Sequence, residues 1–220
     1  MKLALICLIL QFSTIAGAGI YSDNLWDKKD IRVCFAGEEK EPRTESGFEL
    51  KIKNWNRVQK NNLQLWVGQE FTSERTGIYF TGWKDCQNSP NADVILFYNS
   101  NSRIKRFFHG GLDGVAGELG PRYDGEVKGF PNARSIIAIS KTGMNKGIVI
   151  HEFGHVAGLA HEHNHPDIPR DDKSCSHYQR FFSTRLEYRD FDPSSIMSYC
   201  SIQLKKLSAG DVSLLRNIYP

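Results

Sequence analysis

Hydrophobic residues along this chain recur with two different periods, and the switches between them mark out its elements. Ile31 to Phe35 reads as a first strand, and Gly77 to Trp83 and Val94 to Tyr98 as further strands. Each is a short run rich in β-branched or aromatic residues. Phe48, Ile52, Trp55 and Val58 instead recur every three or four positions. That spacing predicts an amphipathic helix over about Glu45 to Lys60, with these side chains in the core. Ser135 to Ser140, carrying Ile136, Ile137 and Ile139, is a predicted buried strand that leads into a second helical pattern. There Ile148, Val149 and Ile150 enter, and Phe153, Val156, Ala157 and Ala160 can pack inward while the polar residues face a cleft. Val212, Leu214, Leu215 and Ile218 predict a closing helix, with Ser208 as N-cap and Asp211 completing a capping arrangement.

The period vanishes between Gly110 and Gly129, where glycines alternate with Asp113, Glu118, Asp124 and Glu126. These acids could hold a structural calcium, but their spacing fits no calcium loop, and loop chemistry is the better reading. No internal repeat, low-complexity tract or linker interrupts the chain.

The second helical pattern carries the chemistry. It runs His151-Glu152-Phe153-Gly154-His155-Val156-Ala157-Gly158-Leu159-Ala160-His161. His151 and His155, four residues apart, share one helix face, so two imidazoles can grip one metal while Glu152 flanks the same space. His161 is too distant to continue that grip on a straight helix. Gly158 stands where a residue free to take positive φ can end the helix and turn the chain back, bringing His161 in from another side. Three neutral nitrogens leave a zinc position open for water, which marks a catalytic site. Glu152 is the candidate base that takes the water's proton.

This stretch resembles the extended zinc signature of the metzincin metalloendopeptidases, and Ser195-Ile196-Met197-Ser198-Tyr199 resembles their Met-turn. Glu162, directly after the third histidine, and Tyr199, two places after the methionine, are similar to the astacin family. Asp167 also fits that pattern. His165 stands where astacins usually carry arginine, and Ile168 and Pro169 do not continue the motif, so the chain reads as a divergent member. The resemblance covers the histidine helix, the Met-turn and the closing helix. It implies a fold of α+β class: a two-lobed metzincin-like domain with a twisted, mostly parallel sheet, an antiparallel edge strand, an active-site helix and a closing C-terminal helix. Part of the Gly110 to Gly129 region is expected to supply the edge strand that pairs with an extended peptide.

The resemblance further implies one catalytic zinc held by His151, His155 and His161, with Tyr199 as an additional ligand or as a donor to the transition state. It also implies packing by Met197 beneath the site, and an ion pair between Glu162 and the mature N-terminus. His163 and His165 are expected as exposed loop residues. The implied activity is that of a secreted zinc endopeptidase acting on a protein or peptide. A zinc-binding interaction module, or a hydrolase of a non-peptide bond, would use the same residues.

Composition bounds the setting. The length suits one domain with a real core. A net charge of +3 with scattered lysines and arginines is too mild for nucleic-acid binding. Lys2, the apolar run Leu3 to Leu10 and the small residues Ala16-Gly17-Ala18 read as a signal peptide over residues 1–18, cleaved before Gly19. The run is too short to span a membrane, so an exported monomer, secreted or periplasmic, is expected. Its domain would cover 19–220, with an N-terminal lobe to about 160 and a C-terminal lobe from about 161. Removing Cys7 leaves Cys34, Cys86, Cys175 and Cys200, and an even count in an exported chain favours two disulfides. Of three pairings, the expected one joins Cys34 to Cys86, and Cys175 to Cys200 beneath the Met-turn.

Overall fold

A computed structural model of the chain describes residues 17–37, 52–99, 114–116, 120–121, 132–140, 144–168, 186–198 and 204–220. The central sheet is built from β2 (Asp30–Phe35), β4 (Tyr79–Asp85), β5 (Val94–Asn99), β6 (Gly114–Ala116) and β7 (Ser135–Ser140). Its order is β4-β2-β5-β7-β6. β2 pairs in parallel with β4 and β5, and β5 with β7, whereas β6 runs antiparallel to β7. A short β3 (Ile52–Lys53) adds an antiparallel pair at the end of β5. The mostly parallel sheet with an antiparallel edge strand is therefore present, and that edge comes from within the glycine-rich region.

Both faces of the sheet carry buried apolar side chains, as parallel strands usually do. On one face Ile31, Val33, Phe35, Val94, Leu96, Ile137 and Ile139 join Leu63 and Val67 of α1 (Arg57–Glu70) and Val149, Ile150 and Phe153 of α3 (Lys146–Val156) in one core. On the other, Cys34, Ile95, Phe97 and Ala138 form a smaller cluster. That side carries the Cys34–Cys86 disulfide, the first of the two expected pairings. Cys175 and Cys200 lie outside the described residues, as do residues 1–16 of the expected signal segment.

α1 corrects the helical reading of Glu45 to Lys60: the helix starts near where that reading ended it. Asn56 is the N-cap, its side chain accepting from the Gln59 backbone N–H while the Gln59 side chain accepts from Asn56, a reciprocal capping box. This local cap outweighs the Phe48–Val58 spacing. Trp55 is buried as expected but sits just ahead of the helix, Ile52 belongs to β3, and Val58 is 67% exposed. Residues 45–51 lie outside the described set.

A second correction concerns β4, which begins after Gly77. Gly77 takes φ +75° to end the short helix α2 (Ser73–Thr76), and an added Cβ would lie 1.9 Å from the Tyr219 carbonyl oxygen. Later in β4, Gly82 and Trp83 both take positive φ, and the register slips between Val33 and Cys34. This bulge turns the Trp83 indole onto Phe35 and onto Phe153 of α3, with ring centroids 5.9 and 5.7 Å away.

Two strands escaped the sequence reading. β1 (Ile20–Ser22) pairs antiparallel with β8 (Leu186–Tyr188), in a small sheet that joins the first described strand to the segment ahead of the Met197 turn. The closing helix α4 (Ala209–Ile218) appears as expected, capped by Ser208 and Asp211.

Glu70 ties these helices together. Its buried carboxylate accepts from Arg75 Nη1 at 2.7 Å and from the Leu207 N–H at 3.2 Å, and pairs with Lys146 Nζ at 3.2 Å. Replacing Glu70 with Ala leaves the Leu207 amide without a partner and should cost about 1–3 kcal/mol. Lys146→Ala, which removes only a partly exposed partner, should cost less than about 1 kcal/mol. Urea unfolding of both variants checks the difference.

Candidate metal centre

α3 starts at Asn145, whose side chain accepts from the Ile148 N–H, and it carries His151 and His155 about one turn apart. The helix ends as its spacing predicts. Gly158 adopts φ +95°, and the reversed chain returns His161 to the same point. The positive φ favours glycine here, and an added Cβ would lie 2.8 Å from Leu25 Cδ2, which would have to shift. The returning segment is held by β1, with Ser22 N–H donating to the Gly158 carbonyl and Ala160 N–H to that of Ile20.

The last carbonyls of a helix lack internal partners. Here the Trp26 indole N–H donates to the Val156 carbonyl at 2.7 Å and the Tyr219 hydroxyl to that of Ala157 at 3.1 Å. The histidine helix is thus pinned at its end by residues from both extremities of the domain.

The three imidazoles converge. His161 Nε2 lies 2.9 Å from His155 Nε2 and 3.2 Å from His151 Nε2. The other ring nitrogens are committed: His151 Nδ1 donates to the Ile196 carbonyl and His155 Nδ1 to that of Leu159, each at 2.8 Å. Both rings are therefore fixed in the tautomer whose Nε2 is a bare lone pair. Burial holds His151 down at a pKa of about 4 and His155 at about 3, and pushes His161 well below its ordinary value. The lone pairs of His151 and His155 Nε2 thus both face His161 Nε2, and a cation among the three nitrogens would satisfy all of them at once. Tetrahedral zinc with bonds of about 2.0–2.1 Å would set its nitrogens about 3.3 Å apart, near the spacing found here. The donor set fits zinc.

Beneath the site, buried Met197 sits where α3 has no side chain: its sulfur lies 2.6 Å from where a Cβ on Gly154 would stand. The Met197 carbonyl accepts from the Glu162 N–H. Glu152 is buried beside His151, on the same helix. Tyr199 lies outside the described residues.

His163 and His165 depart from expectation, being 4% and 1% exposed. The loop after His161 coils into a 3-10 turn (Glu162–Asn164) that folds inward. The His163 ring lies 4.8 Å from that of His161. His165 Nε2 donates to the Arg189 carbonyl, and its Nδ1 accepts from the Asp167 N–H. A histidine with both nitrogens bonded thereby ties the loop to the segment after β8.

Burial also raises the Glu162 carboxyl to a pKa of about 8. One oxygen accepts from the Asp192 N–H at 2.7 Å; the other, Oε2, has no partner among the described residues. A Cβ built on Gly19 would lie 3.5 Å from that oxygen, so Glu162 faces the start of the domain.

Sequence reasoning found all three histidines but missed Trp26, Tyr219 and the Ile196 and Leu159 carbonyls. Main-chain acceptors carry no residue signature, and Trp26 is remote in sequence from the helix it pins.

No family model matches the sequence, and no curated protein matches it. Solved structures do. The chain is similar to myroilysin, with a TM-score of 0.54 at 17% identity, over 92% of this chain and 98% of that one. It is also similar to high choriolytic enzyme 1, a hatching enzyme zinc-protease from Oryzias latipes (medaka fish). There the TM-score is 0.47 at 14% identity, over 90% and 98% of the two chains. At such identity the likeness to myroilysin is one of fold, and it agrees with a divergent metzincin-like, astacin-like architecture.

Gly158→Ala should destabilise the chain by about 1–3 kcal/mol through backbone strain. It should also weaken zinc, because His161 loses its approach. Urea unfolding and chelator competition measure the two effects separately.

Proposed function

We propose that this chain is an exported, zinc-dependent endopeptidase. The observation that carries the reading is the convergence of three imidazole nitrogens, two from buried histidines and one from the half-buried His161, beside a buried glutamate, on a fold similar to that of myroilysin. His151, His155 and His161 would hold one ion. Bound zinc would acidify a coordinated water and polarise the scissile carbonyl. Glu152 accepts the water's proton during attack and returns it to the departing amine. Tyr199, by the astacin resemblance, ligates the metal at rest or donates to the tetrahedral oxyanion, a bond worth about 2.7–4 kcal/mol.

The substrate is an extended segment of protein. β6 lies at the end of the sheet order, and a peptide can add to such an edge through main-chain hydrogen bonds. Export accords with the apolar leader, with the Cys34–Cys86 disulfide, and with the absence, among the described residues, of any helix long and apolar enough to cross a membrane. Within the exported chain, 19–160 and 161–220 form the two lobes.

Purified chain beginning at Gly19 should bind zinc and cleave casein. Glu152→Ala should keep the metal and lose about 10²–10⁴-fold in rate. Casein left intact by a zinc-loaded wild type sinks the peptidase reading, and equal cleavage by the variant removes Glu152 from the mechanism.

Cleavage before Gly19 would put an ammonium group close to Glu162 Oε2, a buried oxygen without a hydrogen-bond partner among the described residues. Such an ion pair should make the chain that begins at Gly19 more stable than the same chain with an acetylated N-terminus. Glu162→Gln should abolish the difference in thermal unfolding.

A further inference from the structure

The two histidines of α3 are oriented by different kinds of acceptor. His155 donates to Leu159, four residues along the same chain, whereas His151 donates to Ile196 on a remote segment. The direction of His151 Nε2 therefore depends on what fixes the Ile196 peptide.

Asp211 fixes it. This residue of α4 is 1% exposed, and its carboxylate accepts three hydrogen bonds. Oδ1 accepts from Ser195 Oγ at 2.7 Å, and Oδ2 accepts from the Ile196 N–H at 3.1 Å and the Ser208 N–H at 2.9 Å. The bond to Ser208 is ordinary helix capping. The other two reach across to the turn. Ser195 Oγ, while donating to Asp211, accepts from the Met197 N–H at 3.0 Å. The peptide groups on both sides of Ile196 are thus held, and its carbonyl is aimed at His151.

We infer that Asp211, with Ser195, is a positioning residue for the metal site, holding the Ile196 carbonyl that orients His151 for zinc. The inference rests on the proposed zinc site and goes beyond it, because it gives a residue of the closing helix a part in metal affinity. An amide at this position cannot reproduce the arrangement. Asparagine has one acceptor oxygen where three donors converge, and its NH₂ would oppose one of them.

The test is zinc affinity by chelator competition, with the absorption bands of the cobalt-substituted protein as a report on ligand geometry. Asp211→Asn and Ser195→Ala should each weaken zinc about 10–100-fold, the range for partners that orient metal-binding histidines, and should shift the cobalt bands. Ser208→Ala is the control. It removes the hydroxyl that caps the Asp211 N–H and donates to Asp192, but leaves the bonds of Asp211 and Ser195 to the Ile196 peptides, so it should lower thermal stability without changing zinc affinity or the cobalt spectrum. If Asp211→Asn does not fold, Ser195→Ala carries the comparison. Zinc affinity indistinguishable from wild type in the folded Asp211 and Ser195 variants overturns the inference, as does equal weakening by Ser208→Ala. A wild type that holds zinc but leaves casein uncut removes the peptidase reading and leaves this comparison standing. A wild type without zinc overturns both.

Discussion

Three imidazole nitrogens held within 3.2 Å of their neighbour, with the ring protons of His151 and His155 committed elsewhere, are the constraint around which this domain is organised. At most one proton on His161 can lie among the three nitrogens, so the arrangement depends on other contacts that impose it, or on a cation that takes up the lone pairs. The impositions can be named. Gly158 turns the chain, β1 holds the turned segment, and the Ile196 and Leu159 carbonyls select the tautomers. Trp26 and Tyr219 then fix the helix end.

These supports come from every part of the fold. The sheet supplies a rigid back through Phe153, which meets Phe80 and the bulge-turned Trp83. The N-terminal strand reaches both the segment after Gly158 and β8. The closing helix reaches the turn beneath the three histidines through Asp211. A preorganised site of this kind holds its ligands in place before metal arrives, so less ordering is left for binding to supply. The buried Glu162 Oε2 near Gly19, without a hydrogen-bond partner among the described residues, is a place where the fold leaves a carboxylate oxygen's demand unmet.

Legibility from sequence followed locality. The strands at Ile31, Val94 and Ser135, the capped closing helix and the histidine run could be read because each is specified by residues within a few positions of one another. The start of α1 was misread because two local signals competed, and the reciprocal cap at Asn56 and Gln59 prevailed over an apolar spacing that the chain uses for β3 and a core tryptophan. His163 and His165 were misread as exposed because a loop's direction of folding depends on partners far away, such as the Arg189 carbonyl. β1 and β8 are too short to carry a period at all.

The sequence by itself determined which imidazoles converge and where the chain must turn to bring them together. Spacings of four and six around a glycine admit few backbone paths. Tertiary structure alone decided how those side chains are aimed. The acceptors that fix the rings are main-chain carbonyls, one of them contributed by a distant segment. Every residue offers the same carbonyl, so nothing in its identity announces the role, and only the packing of remote segments selects Ile196 for it.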